Sequence, residues 1–272
     1  MGASGFISLF IIVTTCFLSY QGFKRSDFFA KYEFEVEKVL LYRDYKRLFT
    51  SVILHVNWQH LIFNMIALFF FSFRLEDFFG PARFLLLYIV SELGGNLLAL
   101  FIHRNNPAYS SVGASGAING VIFASIAVFP SMSIFFLPGW LFGLIYILYS
   151  VYGIRSQSNN IGHESHLGGA LTGLLLALVL YPNALVHNTL PVILLLVPTI
   201  AFMIIIVKKP GLLMVDSYWF NHNYNYTVDD RFNMQKKNTQ QEVDRILDKI
   251  HQKGINSLSR KEKDVLEDYS KK

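Results

Sequence analysis

Two residues of this chain have the types and the setting of a nucleophile and its base. Ser115 sits in Gly113-Ala114-Ser115-Gly116 at the mouth of one apolar stretch, and His166 opens another, followed by Leu167-Gly168-Gly169. A serine hydroxyl attacks poorly until a neighbouring base takes its proton, and an imidazole is the usual base. Where an apolar helix begins, its first backbone amides lack intrahelical partners and can stabilise an oxyanion. The chemistry suggested is hydrolysis of a peptide bond at or inside a bilayer.

The serine motif alone reads more readily as packing, because small residues four apart, such as Gly116 and Gly120, also mark close helix contacts. The histidine reverses that order. His166, Gly169 and Gly173 are spaced three and four apart and share one helix face. The Gly116/Gly120 face is their natural partner. If both helices run the same way, contact between the ridges brings Ser115 and His166 within hydrogen-bond reach. An ionisable residue in a membrane span is itself a functional signal. His55, His60 and Asn64 stand at the start of a further apolar stretch, with His60 and Asn64 on one face. Two readings stay open for them: donors aimed at a developing oxyanion, or hydrogen bonds that tie the bundle together.

The elements that must position these groups are membrane-length segments. The 272 residues are 53% hydrophobic and 16% charged, with the charge concentrated in the last sixty or so. Apolar segments run over about 5–22, 58–78, 82–103, 115–131, 134–153, 166–182 and 190–207, each near the ~17–25 residues that span a bilayer. Residues 23–57 mix Lys24, Arg25 and Glu33 with Phe28, Phe29 and Tyr32, which suits an interfacial segment. No cleavable signal peptide is evident. The single cysteine, Cys16, excludes an intrachain disulfide. The net charge of +5 is assigned to lipid headgroups and orientation, and no nucleic-acid partner is expected. Residues 208–240 read as a polar linker. In 241–272, Val243, Ile246, Leu247 and Ile250 recur at helical spacing, Gly254 stops that helix, and Ser257 or Ser259 starts another. This is a helical hairpin outside the membrane, suited to docking an unknown protein partner.

In order along the chain stand Arg47-Leu48-Phe49-Thr50, then His55, His60-Leu61 and Asn64, then Glu76 and Gly80, then the Ser115 motif, and finally His166, Gly169 and Gly173. In these residues, over about 1–207, the chain resembles the rhomboid intramembrane serine proteases. The resemblance implies an all-α polytopic membrane bundle: a six-helix core, here with a seventh span and the soluble hairpin. It also implies a Ser–His dyad with no acidic third member and a water-accessible cavity. Ser115 is then the nucleophile and His166 the general base, with His60, Asn64 and the Ser115 amide as the oxyanion hole. Arg47, Glu76, Gly113, Gly116, Gly169 and Gly173 take structural places. No metal or cofactor is implied. Substrates would be transmembrane proteins, and the setting a bacterial inner membrane. The seventh span and tail resemble forms of the Bacteroidetes type.

Three positions depart from the pattern. Lys46-Arg47 stands where many rhomboids have Trp-Arg, and Ser72 where the second helix often has Gly. Asn119 stands where many place an aromatic ring against the histidine, which leaves open what orients His166. Two other readings are weighed. His163-Glu164-Ser165-His166 is not HExxH, so a metalloprotease would need His55 or His60 as further ligands. A non-catalytic, client-binding rhomboid-like protein would ordinarily lack the serine or the histidine. The side of the tail is open, because seven spans from a cytoplasmic N-terminus put it outside, whereas Lys24, Arg25, Lys31, Lys38 and Lys208-Lys209 argue for the reverse.

Overall fold

The computed structural model describes residues 5–134, 136–156 and 162–208, with isolated positions between 243 and 269. The long helices described are α1 (Phe6–Lys24), α2 (Trp58–Phe79), α3 (Pro81–His103), α4 (Ser115–Val128), α5 (Gly139–Ser156), α6 (His163–Leu180) and α7 (Thr189–Lys208).

Their burial is that of a bundle standing in lipid. In α1 the inward positions are Ser8, Ile11, Thr15, Ser19 and Gly22, three or four apart. Phe6, Leu9, Phe10, Val13 and Phe17 are exposed. A surface helix of a soluble protein does the reverse. In α7, Leu190, Ile193, Val197 and Ile204 likewise face outward. By length and composition, Phe6–Lys24, Pro81–His103, His163–Leu180 and Thr189–Ile206 can each cross a bilayer. The chain is an all-α, multi-pass membrane protein.

The core forms around α4, in which every residue from Gly116 to Val128 is buried. The helices α3, α4 and α6 are the most closely packed set; α1 rests on α2, and α7 on α5. Glu76, near the end of α2, accepts Ile7 N–H at 2.9 Å, Ser8 N–H at 2.8 Å and Ser8 O–H at 2.6 Å. One carboxylate thereby serves the unpartnered first-turn amides of α1, where a negative charge is favoured.

Residues 23–57 fold into short helices, Ser26–Tyr32, Val36–Leu40 and Arg47–Thr50, and a 3-10 turn, Ser51–Ile53. Arg47 pins them. Buried among them, it donates from Nη1 to Ala30 O at 2.9 Å and Glu33 O at 2.7 Å, and from Nε to Asp44 at 2.9 Å. Burial raises the Asp44 carboxyl, but Arg47 and Lys46 outweigh it and hold the group below the usual carboxylate range. Phe34–Glu35 pairs antiparallel with Ser110–Ser111, fastening this loop to the approach to α4.

Two expected boundaries shift. By apolarity the run from Ile134 predicts helix, but Ser133–Ile134 pairs with Leu137–Pro138 as a small hairpin, and α5 starts at Gly139. The sixth segment starts at His163, so His166 lies one turn inside α6, with its N–H on Gly162 O at 3.0 Å. Contacts divide the chain into two compact units, Met1–Asn223 and Tyr224–Lys272. In the second, Val243 and Ile246 are helical and buried, and Leu247 is exposed. The expected linker beyond Lys208, the Gly254 turn, and Ser257 and Ser259 lie outside the described residues.

Candidate active site

Ser115 is the first residue of α4, and the chain enters it through Gly113, whose φ of 134° is one that side-chain-bearing residues avoid. Gly113 N–H is held by Ser51 O at 3.1 Å. A methyl group on Gly113 would lie 2.7 Å from His60 Cε1 and 3.7 Å from Ser115 Oγ. The missing side chain therefore leaves the imidazole of His60 and the Ser115 hydroxyl beside one small gap.

The start of α4 rests on a buried carboxylate that sequence reasoning missed. Glu92, on α3, accepts Ala117 N–H at 3.1 Å, Asn96 Nδ2 at 3.0 Å and Ser51 Oγ at 3.4 Å. It joins α3, the first loop and the first turn of α4. The available signal was an acidic residue inside an apolar span.

The expected glycine ridge is present. A methyl group on Gly169 would overlap the Gly116 carbonyl, and one on Gly173 would overlap the Gly120 backbone. Each pair lies one turn beyond the last on both helices, so α4 and α6 run parallel. Gly168, next in sequence to Gly169, faces the other way, where a methyl group would lie 2.7 Å from Gly94 O of α3. Consecutive glycines thus seat α6 against two helices at once. Ser165 packs on Gly116, its Oγ 3.1 Å from where a side chain on that glycine would begin. Ser115 and His166 therefore flank a backbone contact between first turns. Their side chains are not hydrogen-bonded to each other here; such catalytic contacts often tighten only when substrate binds.

His166 has a partner that the sequence did not reveal. Its Nδ1 lies 3.0 Å from the hydroxyl of Tyr146 on α5. Asn119, one turn after Ser115, donates Nδ2–H to Ser115 O at 2.8 Å and stands beside the Tyr146 hydroxyl, as does Ser150.

The structure separates the histidines of the second segment. Asn64 is buried and donates Nδ2–H to His60 O at 2.9 Å. His55 lies behind them, its ring 4.9 Å from that of His60. Ser19 Oγ donates to Ile53 O at 2.9 Å, so its contact with His55 Nδ1 at 2.9 Å must be one it accepts. His55 Nε2 is then the acceptor for Ala114 N–H at 3.4 Å. Burial and the neighbouring His60 push His55 down to about 3, which keeps it neutral. His55 is a strut between α1 and the Ser115 turn, with no proton on Nε2 for an oxyanion.

Tyr109 and Ser110, just before the Ser115 turn, are tied into structure, Ser110 by its pairing with Glu35. Tyr109 O–H donates to Glu164 at 3.1 Å and its ring stacks on His103, which also meets Glu164. Among the described residues no group of three or more His, Cys, Asp or Glu is placed to hold a metal.

A family model described as Rhomboid domain matches residues 42–183, slightly more than half of the chain. The chain belongs to the rhomboid family. All the site residues above, from Arg47 to Gly173, fall inside the rhomboid match. A second model, a family of unknown function (DUF6576), matches residues 226–272. Similar proteins include RHOMBOID-like protein 12, mitochondrial, of Arabidopsis thaliana, 31% identical over 143 residues (45% of this chain, 43% of that one). RHOMBOID-like protein 1 of the same plant is 36% identical over 153 residues (53% and 37%). The rhomboid protease GluP of Bacillus subtilis is 34% identical over 134 residues (49% and 26%). This rhomboid chain spans less than half the length of each of these relatives.

Proposed function

We propose that this rhomboid is an intramembrane serine endopeptidase that cuts transmembrane proteins near the end of a helix. The observation that carries the reading is the parallel glycine contact of α4 and α6, which holds Ser115 and His166 at matching first turns. In this mechanism His166 takes the Ser115 proton as Oγ attacks the scissile carbonyl. The oxyanion is met by His60, Asn64 and the Ser115 amide. His166 then delivers its proton to the leaving amine, and water releases the acyl group by the same steps in reverse. The 14 residues of α4 rise about 21 Å against a hydrocarbon core of about 30 Å. Ser115 is thus recessed, and the site needs an opening to water at that end. A helical substrate hides its carbonyls, so helix-destabilising residues near the cut favour hydrolysis.

The same reading divides the chain into a protease domain (1–207), a linker (208–240) and a soluble hairpin (241–272) that docks a protein partner. It sets the chain in a bacterial inner membrane. The test is reconstitution with a single-span substrate. Cleavage is expected in the parent and abolished in both Ser115→Ala and His166→Ala. Undiminished cleavage in either variant refutes the dyad.

A further inference from the structure

The two ends of the bundle differ in charge, and the fold fixes which residues stand at which end. Ser115 begins α4 and His166 lies in the first turn of α6, so both helices start at one end, the site end. Helix α1 finishes there. Its Ser19 meets His55, which accepts Ala114 N–H beside Ser115, and its Tyr20 ring lies 6.1 Å from that of Trp58, the first residue of α2. Helix α3 finishes there too, since His103 meets Glu164 of α6, and so does α5, where Gly153 packs on His163. Helix α7 begins at the far end, where Asn188 donates to Ala127 O of α4 at 2.9 Å. Its 20 residues rise about 30 Å back toward the site end.

Sorted in this way, the exposed cations of the bundle gather at the site end. Lys24, Arg25, Lys31, Arg43 and Lys46 lie on the first loop or at its entrance, Arg104 follows α3, and Lys208 ends α7. Arg47 is a separate case, since it is buried and spent on Ala30, Glu33 and Asp44. At the far end, among the described residues, stand Arg74 and Arg83, and the Arg74 guanidinium lies 4.0 Å over the ring of Phe129. The far-end connections, between α2 and α3, α4 and α5, and α6 and α7, contain no Lys or Arg. Lys and Arg flanking a span are retained on the cytoplasmic side, and in loops shorter than about 60 residues their number, not the net charge, sets orientation. Asp27 and Asp44 in the first loop therefore do not cancel the bias.

We infer that the Ser115 end of the bundle faces the cytoplasm, so that its substrates are membrane proteins cut near the cytoplasmic end of their span. The opposite orientation would strand the exposed cations of the first loop, Arg104 and Lys208 outside and keep only Arg74 and Arg83 within. Facing inward, the site draws its water from the cytoplasm. Lys24, 4.5 Å from the Tyr20 ring centre, then stands at the level of the anionic inner headgroups. The statement about substrates rests on the proposed dyad; the orientation does not.

The test uses the full chain in a bacterial inner membrane, with Cys16→Ser and one new cysteine at an exposed position, Lys31→Cys at the site end or Asn183→Cys at the far end. Intact spheroplasts are treated with a membrane-impermeant maleimide. Asn183→Cys is expected to react at once, and Lys31→Cys only after the membrane is opened. Reaction of Lys31→Cys in intact spheroplasts overturns the inference, as does an Asn183→Cys that reacts only after opening. Two single-span substrates are then co-expressed, with the same helix-destabilising segment at the cytoplasmic end of one and the outer end of the other. The first should be cut, and the cut lost in Ser115→Ala; cleavage of the second also overturns the inference. If the labelling comes out as expected while neither substrate is cut, the protease reading alone fails.

Discussion

At the scale of single residues, the site depends on small differences of proton and volume. Gly113→Ala would press a methyl group to within 2.7 Å of His60 at a φ of 134°. The strain of such a conformation alone is about 1–3 kcal/mol. Thermal unfolding should show a lowered midpoint, and cleavage a loss beyond that of stability, since His60 must move. Asn64→Ala should slow turnover about 100-fold, the usual effect of losing one oxyanion donor; steady-state kinetics on the reconstituted protein tests it. His55 gives a pH dependence. Its folded-state pKa is about 3, against an ordinary value of 6.5. The unfolded chain therefore binds the extra proton between those values, so stability is full above about pH 6.5 and falls as the pH drops toward 3. The slope for one such group is ~1.4 kcal/mol per pH unit. Unfolding midpoints from pH 7 to 4.5 should fall in the parent more steeply than in His55→Gln.

At the scale of elements, the decisive contact is glycine on glycine. Gly169→Val would drive a side chain into the Gly116 carbonyl, and overpacking of this kind costs about 1–3 kcal/mol or more. It should separate α4 from α6 and abolish both cleavage and a cooperative unfolding transition. Gly80→Ala is the contrast. Its φ is 82°, but a methyl group there meets nothing within 4 Å, so the cost is about 1–3 kcal/mol of backbone strain and the bundle should persist. The ridge was legible in the sequence because residues three and four apart must share a face, whatever surrounds them. The helices were legible as apolar runs, except where Ile134 and Leu137 continued a run that the chain turns into a hairpin. Tyr146, the partners of Glu92 and the role of His55 were not legible. Tyr146 acts across two helices, Glu92 gathers partners from a distant loop and from α4, and His55 is defined by Ser19 and Ala114, far from it in sequence. Local spacing carries no trace of such contacts.

At the scale of the whole molecule, described apolar side chains such as Phe10, Phe63 and Phe70 face outward around a core that buries Phe84 and Phe123 together with polar Ser91 and Asn96, which suits a bundle whose solvent is lipid. The rhomboid match and the entire candidate site lie within the compact unit Met1–Asn223. A chain ending at Asn223 should therefore keep its cleavage rate on a detergent-solubilised substrate; loss of activity would assign the tail a part in the chemistry. The central claim is that Ser115 is a nucleophile activated by His166. Its most direct test is a fluorophosphonate serine probe applied to the folded protein in nanodiscs, with the adduct mapped by peptide mass. The account predicts an adduct on Ser115, absent in Ser115→Ala and strongly reduced in His166→Ala. An unlabelled Ser115 in the folded parent, or equal labelling without His166, would contradict it.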